Sequence, residues 1–101
     1  MTKAVRLREE AEIELAAAAE WNELQRSGLG HEFLDQVAAA LDAIRSGPFS
    51  FPEVHRGARR ARRALIKRFP FSIFYLIDTN DIVVIAVMHA SRHPMKWQDR
   101  T

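Results

Sequence analysis

The chain has 101 residues, 48% of them apolar, and a formal net charge of +2. That length holds one domain burying roughly two thirds of its unfolded surface, and the apolar content excludes a disordered chain. With no cysteine, disulfides, thiol nucleophiles and thiolate zinc sites are excluded.

The charge is unevenly spread. Residues 1–54 carry five Lys/Arg against ten Asp/Glu, and residues 55–101 carry ten against three, so the halves stand at −5 and +7. Such asymmetry points to an anionic partner, either nucleic acid or an acidic protein. No basic-then-apolar leader opens the chain. The longest apolar run, Ile82 to Met88, falls far short of the ~20 residues a spanning helix needs. A soluble, cytoplasmic protein without membrane contact is expected.

Ala4 to Arg8 alternates, with Val5 and Leu7 on one side and Arg6 and Arg8 on the other, which predicts a short half-buried strand. Glu9, Glu10, Glu12 and Glu14 then place negative charge where a helix macrodipole favours it. Ile13, Ala16, Ala17, Trp21 and Leu24 recur at helical spacing, and the alanines allow close approach of another helix. Gly28 ends this helix as a left-handed cap. A second helix starts near Leu29–Gly30, with Phe33, Leu34, Val37, Leu41 and Ile44 as its core stripe. Gly47–Pro48 stops it. A link this short makes the two helices an antiparallel hairpin.

Pro48 to Gly57 reads as a loop whose phenylalanines plug the core. Three β-type runs follow. Ala61 to Phe69 is cationic, Phe71 to Asp78 is almost wholly apolar, and Asp81 to Met88 is a β-branched run of the kind covered on both faces. A tight turn near Phe69–Pro70 and turn chemistry at Asp78–Asp81 connect them. The predicted fold is α+β, with the order β-α-α-β-β-β. It comprises an antiparallel sheet, a helical hairpin packed on one face, and the first strand joining at an edge.

Two constellations carry possible chemistry. One is the run Arg56, Arg59, Arg60, Arg62, Arg63, Lys67 and Arg68, whose guanidinium forks suit phosphate and carboxylate alike. A strand through it gives Arg60, Arg62 and Arg68 one parity, and Arg59, Arg63 and Lys67 the other. Arg63 stands out for its core-like neighbours, Ala64 and Leu65. The second is the tail His89, Arg92, His93, Lys96 and Trp97. There a histidine just past a buried strand suits acid–base work, and an arginine suits a developing phosphorane-like charge. Equally, His89 suits a hydrogen-bonded strand end and Trp97 a packing role. No metal site or cofactor is expected: the four histidines are scattered, and no glycine-rich phosphate loop or nucleophile elbow is present.

Over nearly its whole length the chain resembles the small RelE/ParE superfamily toxins of bacterial toxin–antitoxin modules, also called plasmid stabilization proteins. The resemblance rests on Trp21, Leu29-Gly30 with Phe33-Leu34, Ile44, Pro52 and Val54. It continues through Arg63, Phe69-Pro70-Phe71 with Ile73 and Tyr75, and the ending His89-x-x-Arg92-x-Pro94-x-x-Trp97. It implies a single toxin domain over residues 1–101, held inactive by an acidic antitoxin that wraps it as helix and strand. Arg59, Arg60, Arg62, Arg63, Lys67, Arg68, Arg92 and Trp97 are then the partner-binding candidates.

Two activities occur in that superfamily. RelE-like members cut messenger RNA in the ribosome; ParE-like members poison DNA gyrase and catalyse nothing. For a ribonuclease, Arg63, Lys67, His89 and Arg92 are the catalytic candidates. The sequence departs from the ribonuclease pattern at Phe71-Ser72-Ile73, which holds no cation, and at its end, where Trp97 stands and no tyrosine follows Tyr75. An indole donates a hydrogen bond but is neither acid nor base. The ParE-like, non-enzymatic reading is favoured. The ribosome-dependent endoribonuclease and a non-toxic basic RNA-binding module are the alternatives.

Overall fold

The computed structural model describes residues 3–91 and 95–101. The first strand, β1 (Ala4–Leu7), leads into helices α1 (Glu9–Gln25) and α2 (Leu29–Ser46). After a 3-10 turn at Pro48–Ser50 come β2 (Glu53–Arg56), β3 (Arg60–Leu65), β4 (Phe71–Ile77), β5 (Asp81–His89) and a one-turn helix, α3 (Met95–Gln98). The sheet order is β1-β5-β4-β3-β2. β1 runs parallel to β5, and the other neighbours are antiparallel. The α+β class, the helical hairpin on one face and the edge position of the first strand are as the sequence predicts.

One strand is additional. Glu53–Arg56 falls within the segment read as a loop, yet it pairs with β3 across a bulge between Glu53 and His55. Its four residues are too few to show an alternating pattern, and Pro52 beside them reads as punctuation. A short, charged strand of this kind is how a sheet edge is blunted. The cationic run also forms a shorter strand than expected, because Ile66 to Pro70 make the turn into β4 and Arg68 takes a positive φ of 72°.

The helix hairpin depends on two glycines. Gly28 has a φ of 90°, which L side chains rarely adopt. A Cβ on Gly30 would lie 2.6 Å from the Ala19 carbonyl oxygen, so glycine there lets α2 lie directly against α1. The Gly28 and Gly30 amides donate to the Glu23 carboxylate at 2.9 and 3.0 Å. Those bonds hold the Glu23 carboxyl below its ordinary range.

β4 and β5 are buried on both faces. On the helix side Phe33, Val37 and Ile44 of α2 meet Phe71, Ile73, Tyr75, Ile82, Val84 and Val87. On the far side Phe74, Leu76, Val83, Ile85, Ala86 and Met88 pack with Trp97 from the tail. A bulge lets β5 serve both layers: Phe74 faces Ala86 but Tyr75 faces Val84, leaving Ile85 as the extra residue. Ile85 and Ala86 both join the far layer, and the alternation is reversed beyond them. The Tyr75 hydroxyl donates to the Pro48 carbonyl at 2.6 Å, and burial pushes its pKa up to about 12.

α1 buries its small side chains rather than its bulky apolar ones. Its helical spacing holds, but Ile13, Trp21 and Leu24 are 61, 51 and 77% exposed. Ala11, Ala18 and Asn22 are the buried positions. Small side chains let α1 lie low over β5, and its bulky apolar residues point outward.

Candidate functional site

The seven cations that are contiguous in sequence do not share one surface. On β3, Arg62 and Arg63 necessarily point to opposite faces. Arg63 stands opposite Phe74, a far-layer residue, while Ala64 stands opposite Ile73 of the helix-side layer. Arg62 therefore lies on the helix side and Arg63 on the far side. Arg59 precedes β3, and Lys67 and Arg68 lie in the turn after it, so the parity expected for those three does not apply. Arg59 and Arg68 sit beyond opposite ends of a six-residue strand, which at ~3.3 Å per residue places them on the order of 20 Å apart.

Several of these cations are already engaged. Arg59 donates to the Asp78 carboxylate and the Ile77 carbonyl. Arg62 is 17% exposed and donates to the Phe51 carbonyl at 2.6 Å and to Glu53 at 3.2 Å, with its guanidinium over the Phe49 ring. Arg56 donates to Glu53 at 2.9 Å and Arg60 lies 3.6 Å from it. Burial pushes the Glu53 carboxyl up, but its three arginines outweigh that and hold it below its ordinary value. Arg68 and Arg26 share Glu32, and their hydrogen bonds lower its pKa. The opposed charges of the two chain halves thus partly cancel in space. Among the described residues, Arg63 and Lys67 have no carboxylate within ion-pair distance.

His89 is the last residue of β5 and faces the helix side. Its ring meets the edges of Phe71 at 5.0 Å and Trp21 at 6.4 Å, and its Nδ1 accepts from the Ser91 amide at 3.0 Å. His89 and Arg63 therefore lie on opposite faces of the sheet. Trp97 is 5% exposed, stacked on Phe74 at 4.2 Å and edge-on to His55. Arg92 and His93, and with them the expected His89–Arg92 pairing, lie outside the described residues, as does the side chain of Lys96.

A groove of about 580 Å³ lies between α1 and β5. Ile13, Ala17 and Trp21 form one wall, with Val87 and His89 opposite. It exists because β1 stops early: its last bond is from the Arg8 amide to the Val84 carbonyl, at 2.9 Å. Beyond Val84, β5 has β4 on one side only among the described residues. Ala90 donates to Pro70 toward β4, so by alternation the backbone groups of Val87 and His89 point to the open edge. The Glu14 carboxylate accepts the Val87 amide at 3.1 Å and a fork from Arg100 at 2.9 and 3.1 Å. Arg100 also donates to the Ile85 carbonyl at 2.9 Å. Sequence reasoning missed this pair: 86 residues separate its members, and the only local hint was a glutamate bordering an apolar helical stripe.

Among the described residues no group of three or more His, Asp or Glu is placed to hold a metal ion. No described helix is long and apolar enough to cross a membrane.

Among curated proteins no sequence matches the chain. A solved chain from the chromosomal ParDE TA system of P. aeruginosa superposes with a TM-score of 0.75 at 10% identity, covering 87% of this chain and 96% of that one. At that identity the likeness is one of fold. A family model described as ParE toxin of type II toxin-antitoxin system, parDE, matches residues 5–94. With the model spanning both helices and all five strands, the chain belongs to the ParE toxin family of type II toxin–antitoxin systems.

Proposed function

We propose that this chain acts in the cytoplasm as the growth-inhibiting component of a two-gene module, that it inhibits DNA gyrase by protein contact, and that a cognate antitoxin neutralises it. Membership of the family carries the toxin and antitoxin parts of this reading. The non-enzymatic part is supported by the arrangement of the described candidates. Cleavage through a ribose 2′-OH needs a base and cations converging on one phosphate within hydrogen-bond reach. Here His89 and Arg63 stand on opposite faces of the sheet, and the Trp97 ring is buried.

Neutralisation is supported by surfaces left without a strand or helix over them among the described residues: the edge of β5 beyond Val84, met only by the Glu14 and Arg100 side chains, and the exposed apolar face of α1. An extended segment adding to that edge would take up the Val87 carbonyl and the outward groups of His89, while the Val87 amide stays with Glu14. An antitoxin that wraps the toxin, rather than docking on one patch, also suits the dispersal of the cations. Its acidic portion would meet Arg63 and Lys67, while Arg56 and Arg60 offer a second cationic surface on the β2–β3 side. The test is expression in bacteria, alone and with the protein encoded by the adjacent open reading frame. Arrest relieved by co-expression, with gyrase–DNA cleavage complexes accumulating during arrest, is expected. Codon-phased cuts in ribosome-bound messenger without such complexes would replace this reading by the ribonuclease one.

A further inference from the structure

The outward face of α1 has a chemistry of its own. At 100° per residue, Glu10, Ile13, Ala17, Trp21 and Leu24 fall on one side of the helix and Glu20 borders them. Ile13, Trp21 and Leu24 are each more than half exposed. From Ile13 to Leu24 the stripe spans 12 residues, and the eleven steps between its ends cover about 17 Å at 1.5 Å per residue. Its steps of three and four match those of a second helix laid along it.

The flanks of this stripe are of one sign. α1 contains six glutamates and no lysine or arginine. Glu23 is occupied with the Gly28 and Gly30 amides, and Glu14 with Arg100. Glu9, Glu10, Glu12 and Glu20 have no cation within ion-pair distance among the described residues. The helix dipole accounts for glutamates in the first turn, but not for Glu20 three turns on. Arg100 shows how a cation is received here: its guanidinium forks onto Glu14 at the groove, the two side chains 19 and 24% exposed.

We infer that the α1 side of the groove takes a basic amphipathic helical segment of the antitoxin. Its apolar side chains lie on Ile13, Ala17 and Trp21, and its lysines or arginines lie beside Glu10 and Glu20. This rests on the toxin–antitoxin reading and specifies the partner: the antitoxin is segmented by charge, basic where it covers α1 and acidic where it meets Arg63 and Lys67. A second copy of this chain is a poorer occupant, because symmetric pairing would set two such glutamate-rich helices against each other.

The experiment uses the full chain and two labelled synthetic amphipathic peptides, each about four helical turns long. They share one leucine face and differ only in carrying lysine or glutamate flanks. Fluorescence anisotropy at low salt should show the lysine peptide binding at least about tenfold tighter, with the gap closing as salt is raised. Glu10→Lys with Glu20→Lys, both at exposed positions, should invert the order, and Ile13→Asp should weaken both peptides. Equal affinities, a preference for the glutamate peptide, or self-association of the chain through α1 in sedimentation would overturn the proposal. Growth arrest and its relief by the adjacent gene product are read separately. Their loss removes the toxin–antitoxin reading without altering the peptide result, and their persistence beside equal peptide affinities removes only the basic segment.

Discussion

The pair Glu14–Arg100 joins the first helix to the last residues of the chain, and its removal has a calculable effect. The Glu14 carboxylate accepts three hydrogen bonds, one from the Val87 amide and two from Arg100, and Arg100 gives a further one to the Ile85 carbonyl. A hydrogen bond to a charged group contributes about 1.5–3 kcal/mol, and an unsatisfied buried partner costs a similar amount. With side chains 24 and 19% exposed, solvent screens part of this, so Glu14→Ala is expected to cost about 2–3 kcal/mol. Arg100→Ala leaves Glu14 its Val87 bond, and is expected to cost about 1–2 kcal/mol. The double variant should cost less than the sum, with a coupling of about 1 kcal/mol or more. Urea denaturation of the four proteins reads this directly, since at constant m the midpoint moves in proportion to the change in stability. Strict additivity would refute the reasoning, because it would mean that the two side chains stabilise the fold independently.

Three other outcomes follow from the same structure. Gly30→Ala should cost about 1–3 kcal/mol by wedging a methyl against the Ala19 carbonyl, whereas Ser27→Ala, at an exposed position in the same link, should leave denaturant midpoints unchanged. Trp97→Ala should cost about 3–5 kcal/mol through loss of the stack on Phe74, and near-ultraviolet circular dichroism should show the far layer loosened. In acid, Glu23, Glu32 and Glu53 have folded pKa values below their ordinary ones. The stability they give is present above the ordinary carboxylate range and is lost as pH falls through the folded values. Thermal melts against pH should therefore decline below about pH 4.5, less steeply in Glu23→Gln than in the parent.

The helical hairpin and the last three strands are legible because their boundaries carry turn chemistry. Gly28, Gly47–Pro48 and Asp78–Asp81 each stop an element for a reason visible in the residues themselves. β2 is not legible, since a four-residue edge strand beside Pro52 has neither length nor alternation. For α1, periodicity states that Ile13, Trp21 and Leu24 share a side, but not that Ala11 and Ala18 take the other side into the core. The arginine run fails as a single site for a related reason. Contiguity along a strand is dispersal in space: alternation sends Arg62 and Arg63 apart, and the turn removes Lys67 and Arg68 from the strand. The Glu14–Arg100 contact depends on where β1 ends relative to β5, a tertiary fact with no local trace.

The most direct test of a toxin that works by contact rather than catalysis is a cleavage-complex assay with purified gyrase, supercoiled plasmid and this chain, run beside His89→Ala and Arg63→Ala. Linear DNA covalently attached to gyrase is expected with the parent and undiminished with His89→Ala, whose ring is packed between Phe71 and Trp21. No gyrase-linked DNA, together with cuts in ribosome-bound messenger that both substitutions abolish, would contradict the account.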